Sequence, residues 1–168
     1  MKDRKGFTLP ELLVVVAIIG ILVAISIPIF SNQIERSRDA VSIANIRSAY
    51  AEAQVFYMSP DDATRPQYSK GFTIYNDDGT RKISGQYTGY NSPIPETITV
   101  YNVEIKSKKR NNWSGLGDSL PFYNVFRCGV STQGGDTGVS GYGMIHFTYD
   151  EYGNLTSVLM YVQDKPWK

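Results

Sequence analysis

The sequence predicts an α+β protein, with one long N-terminal helix followed by an antiparallel β-sheet head. Three observations lead there. From Leu12 to Phe30 the chain runs 19 residues without a charge. From Phe30 to about Met58 apolar residues recur at helical spacing between charged ones. Beyond residue 58 the chain is rich in glycine, proline and tyrosine, and its apolar residues alternate as in strands.

The uncharged run is long enough to cross a bilayer as a helix, which takes about 20 residues. The tip before it, Lys2-Asp3-Arg4-Lys5, is net basic, and basic flanks stay on the cytoplasmic side. A secretory signal peptide has the same outline, and Ala24-Ile25-Ser26 would pass as its cleavage site. The run is longer than such peptides need, however, and Pro28 follows the proposed cut. Neither a signal peptide nor a plain anchor accounts for Glu11. A carboxylate at the centre of a membrane helix costs about 2.5–3.5 kcal/mol, less near its end, and marks function by default.

The second helical stretch carries Ile34, Val41, Ile46, Ala49, Tyr50, Ala53, Phe56 and Tyr57 as a candidate buried stripe. Glu35, Arg36, Arg38, Asp39, Arg47 and Glu52 lie between them and suggest a wet opposite face. It continues the anchor, with a kink expected at Pro28, and stops before Ser59-Pro60, because the residue preceding a proline disfavours helix. The combined helix would be roughly 75 Å long at about 1.5 Å per residue. A helix of that length suits a protein that packs its first half in one body and docks a head on the second. In the head, short strands are expected at Phe72–Tyr75 and Lys82–Tyr87, and longer ones at Thr97–Lys106 and Pro121–Val130. Tyr142–Tyr149 and Leu155–Gln163 should form a hairpin around Asp150–Asn154. Alternation in Thr97–Lys106 slips near Val100–Tyr101, which a bulge would reconcile.

The stretch "KGFTLPE", Lys5 to Glu11, resembles the class III signal of the type IV pilin family. The resemblance is strong over residues 5–30, and beyond them it concerns architecture. It implies a pilin fold, a cut between Gly6 and Phe7 on the cytoplasmic side, and N-methylation of Phe7. The apolar segment is then kept. Residues 1–6 would be the leader, 7–30 the membrane and filament-core helix, 31–58 a helix half packed on the head, and 59–168 the head. Gly20 and Pro28 stand where the family has a mid-helix glycine and a proline near the membrane exit. Both weaken a helix and would let it unwind locally in an extensible fibre, although Gly20 also suits close helix packing. Pro10 departs from the family's usual aliphatic residue, at a first-turn position where proline costs little.

Cleavage would give Glu11 a partner, because the new ammonium on Phe7 lies four positions, about one turn, away. In a bundle of copies the same carboxylate can pair with a neighbour's ammonium and fix register. The resemblance therefore implies a structural subunit of a type IV pilus. It would be a single-pass precursor in the cytoplasmic membrane, with its N-terminus inside, and then part of a surface filament for adhesion, motility or DNA uptake. Its partners would be itself, membrane lipid before assembly, the prepilin peptidase and N-methyltransferase, the assembly platform and ATPase, and minor pilins. A pseudopilin of a secretion or competence system shares this chemistry, and a surface-anchored binding module without polymerisation is the reading from another class.

Other motifs are weaker. Lys106, Lys108, Lys109 and Arg110, followed by Trp113, offer cations and a stacking ring for DNA, or a solvated loop. Asn76-Asp77-Asp78-Gly79 offers oxygens for calcium, or a plain turn. Asn112 and Asn154 head glycosylation sequons. The chain has one histidine and one cysteine, so it can build neither a zinc site of the usual types nor an internal disulfide. His146 reads as a strand residue and Cys128 as a small core residue. No acid–base constellation suggests an enzyme, no cofactor is implied, and the net charge of +1 gives no global field for nucleic acid.

Overall fold

A computed structural model of the chain describes residues 6–58, 71–86, 97–108, 117–128, 140–150 and 152–168. Helix α1 spans Leu9–Met58 and six strands follow: β1 Gly71–Tyr75, β2 Arg81–Gln86, β3 Thr97–Ile105, β4 Phe126–Cys128, β5 Gly141–Tyr149 and β6 Leu155–Gln163. The chain divides into two compact units between Arg36 and Ser37.

In the first unit α1 is helical without interruption through Gly20 and Pro28. Ser26 donates its hydroxyl hydrogen to the Leu22 carbonyl at 2.7 Å, which satisfies it without leaving the helix. Every large apolar side chain from Leu12 to Phe30 is at least 49% exposed. Hydrophobic surface on that scale is not stable in water and calls for lipid or protein around it. By length and composition the helix suffices to cross a membrane.

In the second unit the rest of α1 presents Asp39, Ser42, Ile43, Ile46, Ala49 and Ala53 to the core, with Tyr50, Phe56 and Tyr57 half-buried beside them. Ile34 and Val41, expected in this stripe, are exposed instead. At 3.6 residues per turn the buried set centres on Ile46, and Val41 falls well away from that line. Ser42 is a polar member of the buried face with a task. Its hydroxyl donates to the Arg38 carbonyl and accepts from the amides of Lys106 and Ser107, each at 2.9 Å, and so satisfies the backbone just beyond β3.

The sheet order is β1-β2-β3-β5-β6-β4. All neighbours are antiparallel except β4, which runs parallel to β6 with Phe126 opposite Val158. The expected strand Pro121–Val130 thus shortens to three residues, and Val130 lies outside the described residues, as do Tyr87 and Ser59-Pro60. Its first half instead makes tight turns, with Tyr123 N donating to Leu120 O and Val125 N to Phe122 O. Those turns drive Leu120 and Phe122 into the core. Phe122 meets Tyr50 at 4.9 Å between ring centroids and Phe147 at 5.8 Å. Leu120 and Phe122 form a plug, while Pro121, Tyr123 and Asn124 stay exposed.

The expected bulge in β3 is present, since register against β5 shifts between Val100 and Val103. Ile98 and Val100 before it and Val103 and Ile105 after it are therefore all buried. Asn102, at φ 57°, takes the left-handed conformation that the bulge requires and that asparagine tolerates. Its amide then clasps the C-terminal tail, with Oδ1 accepting from Trp167 N at 2.7 Å. Nδ2 donates to Arg81 O at 2.8 Å and to Trp167 O at 3.2 Å. Asn102→Ala should lower unfolding free energy by about 2 kcal/mol or more, the sum of several lost bonds and αL strain. Thermal melts of detergent-solubilised protein would check this, and an unchanged midpoint would contradict it.

Tyr149 is buried on β5, and its ring stacks on Tyr57 at 4.2 Å. Its shielded hydroxyl has no hydrogen-bond partner among the described residues. Burial, then the neighbouring Tyr50 and Tyr57, push its pKa far above the ordinary tyrosine value. The folded state therefore holds this proton where the unfolded chain, near pKa 10, releases it, so stability falls as pH rises above about 10. Tyr149→Phe should flatten that alkaline loss. At neutral pH its melting midpoint should be equal or higher, because an unsatisfied buried hydroxyl costs about 1–3 kcal/mol. A clear drop at neutral pH would mean that the hydroxyl has a partner.

Candidate functional site

The start of α1 is fixed by four residues, Thr8-Leu9-Pro10-Glu11. Thr8 is the last residue before the helix and Glu11 is its third. Glu11 Oε2 accepts from the Thr8 amide at 2.8 Å and from the Thr8 hydroxyl at 2.7 Å, and Leu12 N donates to Thr8 O at 3.2 Å. This is the reach-back half of a capping box, in which the third residue's carboxylate satisfies the capping residue's amide. Pro10 sits in the first turn, where its missing N–H leaves no bond unmade. The Thr-x-x-Glu spacing was visible in the sequence, and Glu11 stood out as a carboxylate beside the apolar run, but Thr8's share in holding it was missed.

Gly6 and Phe7 precede the helix and are both exposed, Phe7 to 88%. The Gly6–Phe7 peptide bond therefore lies outside the helical hydrogen-bond ladder, two residues before α1. Both bonds to Glu11 converge on Oε2, leaving Oε1 for a further donor. The carboxylate also lies in the first turn, where the helix dipole favours an anion. A β-carbon added at Gly20 would meet nothing within 4 Å, so the close-packing reading of Gly20 has no partner among the described residues.

Among the described residues the other candidates do not gather into a second site. Lys106 approaches Glu104 at 3.4 Å, an exposed pair of little energetic weight. Lys108 is exposed, and Lys109, Arg110, Trp113 and Asn112 lie outside the described residues. The Asn76–Gly79 segment is the β1–β2 turn. Asp78 Oδ1 accepts from the Thr80 hydroxyl at 2.6 Å and its amide at 2.9 Å, which lowers the Asp78 pKa. Among the described residues no three His, Cys, Asp or Glu side chains are grouped to hold a metal. Asn154 is bound into the β5–β6 turn, its Nδ2 donating to Asp150 Oδ2 at 3.0 Å. His146 stands opposite Thr99 in the β3–β5 register, with Nδ1 2.7 Å from the Thr99 hydroxyl. Burial lowers its pKa and favours the neutral ring. Cys128 ends β4 opposite Met160.

Comparisons with known proteins bear on the same N-terminal segment. The family described as the prokaryotic N-terminal methylation motif matches residues 1–27. A fimbrial protein of Neisseria meningitidis serogroup A is 28% identical over 141 residues, covering 80% of this chain and 78% of its own. The type IV major pilin protein PilE of Neisseria gonorrhoeae is 27% identical over 68% of this chain and 70% of its own. The type IV narrow pilus major component PilA5 of Thermus thermophilus is 50% identical over 54 residues, which is 30% of this chain and 47% of its own. No solved structure matches the chain.

Proposed function

The chain carries the prepilin methylation motif and is type IV pilin-like in sequence, and from that premise we propose how it works as a structural subunit of a pilus. The observation that carries the proposal is a single carboxylate, Glu11, in the first turn of a helix that is uncharged from Leu12 to Phe30 and begins two residues after an exposed Gly6–Phe7 bond. Cleavage of that bond by a prepilin peptidase releases residues 1–6 and leaves a protonated amine on Phe7. Methylation of the amine preserves its charge. In the membrane Glu11 is held by Thr8. On assembly its remaining oxygen accepts from the Phe7 ammonium of a neighbouring copy.

That pair sets register more than it adds stability, because desolvating two charges offsets most of their attraction. The attraction comes from close van der Waals packing of the faces exposed from Leu12 to Phe30 against other copies, because lipid is as apolar as these side chains and leaving it brings no hydrophobic gain. The precursor sits in the cytoplasmic membrane with its basic tip inside. An assembly platform and ATPase extract it, and minor pilins start the fibre. The relatives are named as major pilins and fimbrial proteins, which supports a surface pilus over a secretion pseudopilus.

The test is electron microscopy of material sheared from cells with and without the gene. Filaments containing this chain, lost on deletion, are expected. A protein found only in membranes, with no filament under conditions of strong expression, would contradict the proposal.

A further inference from the structure

We propose that the bulge of β3, with the first residue of β2 and the start of β5, forms a receptor for one tryptophan of an extended peptide, and that the chain's own Trp167 occupies it in cis. The site lies within the head and is independent of the filament reading above. It begins with a break in the sheet. The β3–β5 register passes from Val100 opposite Ile145 to Val103 opposite Gly143 and skips Tyr101 and Asn102. Polar groups at such a break need partners from outside the ladder.

Trp167 supplies them. Its amide donates to Asn102 Oδ1 at 2.7 Å. Its carbonyl accepts from Asn102 Nδ2 at 3.2 Å and from Arg81 N at 3.0 Å. Its indole Nε1 donates to Tyr142 O at 3.0 Å. Three strands thus satisfy every hydrogen-bonding group of a single residue. The main-chain bonds would accept any residue but proline. The bond to Tyr142 O selects tryptophan, because phenylalanine has no ring donor and tyrosine carries its donor at the far end of the ring.

The slot is built without its occupant. Asn102 also donates to Arg81 O at 2.8 Å, and Arg81 is held in β2 opposite Tyr75 of β1. The occupant, in turn, touches down at one point. Asp164, Lys165, Pro166 and Lys168 are exposed, and Trp167 is half-buried. Gln163 Nε2 donates to Lys165 O at 2.7 Å, a bond within the segment's own stem. Pro166 has no N–H to leave unmated and restrains the backbone before Trp167, which lowers the entropy lost on docking. A core element is buried along its length, whereas this segment behaves as a ligand on a short tether. Such a tether holds its ligand at an effective concentration of roughly millimolar, so a slot of modest affinity stays filled until the segment lifts.

The test uses the full chain in detergent with Trp167→Pro, which takes both the amide and the indole out of the slot. The probe is the acetylated, amidated peptide of residues 163–168 carrying a fluorophore. It should bind this variant saturably and raise its melting midpoint. The unaltered chain should bind it at least about tenfold more weakly, because the resident Trp167 leaves few slots free. Trp167→Pro/Asn102→Gly should lose about tenfold as well, since glycine keeps the left-handed backbone and removes only the amide. A peptide with 1-methyltryptophan leaves Tyr142 O without its donor and should bind about tenfold more weakly, and one with alanine in place of tryptophan should not bind. In the unaltered chain, hydrogen exchange should show the Trp167 indole less protected than the Ile145 and Phe147 amides of β5, because the segment opens locally. Absence of peptide binding to a Trp167→Pro chain that melts cooperatively, or equal binding of the alanine peptide, would overturn the receptor. So would a Trp167 indole that opens only together with β5, and that measurement decides alone should Trp167→Pro not fold.

Discussion

Replacing Glu11 with alanine is expected to leave the protein processed and in the membrane but to reduce surface fibres by two orders of magnitude or more. Two effects must be separated. The first is local, because Glu11 caps its own helix through Thr8, and loss of a cap costs about 0.5–2 kcal/mol. The second is intermolecular. In the fibre the substitution leaves a neighbour's ammonium buried without its counter-charge, and breaking one side of such a pair costs about 3–5 kcal/mol. The intermolecular loss should dominate, and at about 1.4 kcal/mol per decade it accounts for a hundredfold reduction. Thr8→Val separates the two, since it removes the hydroxyl bond to Glu11 but keeps the carboxylate. Sheared fibre quantified by immunoblot should fall modestly for Thr8→Val and nearly vanish for Glu11→Ala. Equal losses would assign Glu11 to capping alone.

Phe147→Ala should have the largest effect on the head. Phe147 is fully buried on β5 and its ring meets Tyr50 from the helix at 5.7 Å and Phe122 from the turn at 5.8 Å. It therefore joins three separate parts of the chain. Truncating a buried phenylalanine costs about 3–5 kcal/mol, a large share of the roughly 5–15 kcal/mol that a domain possesses. The melting midpoint should fall by on the order of 10 °C or more, and the chain should become protease-sensitive. Leu159→Ala, at a half-buried position, should cost far less. A Phe147→Ala midpoint within a few degrees of the parent would mean that the helix–turn–sheet junction is not the centre of the core.

Much of this architecture was legible in the amino-acid pattern. The uncharged run and the 3.6-residue periodicity placed α1 to within a residue at its end, and alternation placed β3, β5 and β6 nearly to their termini. The β3 bulge was legible because a parity slip near Val100–Tyr101 has few other physical solutions, and the register shifts between Val100 and Val103. The failures also have reasons. Phe122 is apolar because it plugs the core, and a plug and a strand look alike when hydrophobicity is read without its partners. Val41 and Ile34 were assigned to the buried stripe because apolar residues at helical spacing can face either a core or another molecule. Asp39 was placed on the wet face and Ser42 was missed for the converse reason, since polar side chains on a helix are ordinarily solvated and only contacts from distant segments bury them. At the candidate site, Glu11 stood out as a carboxylate beside an apolar run, and Gly6 and Phe7 by resemblance. The hold of Thr8 on Glu11 needed side-chain geometry.

The central claim is that the apolar helix is kept, trimmed to a new amine and buried among copies of itself. Intact mass measurement of the protein from purified surface filaments tests it most directly. A chain beginning at Phe7 and carrying one added methyl group is the predicted result. A filament protein that still begins at Met1, or that has been cut after Ser26 and lacks the apolar run, would contradict it.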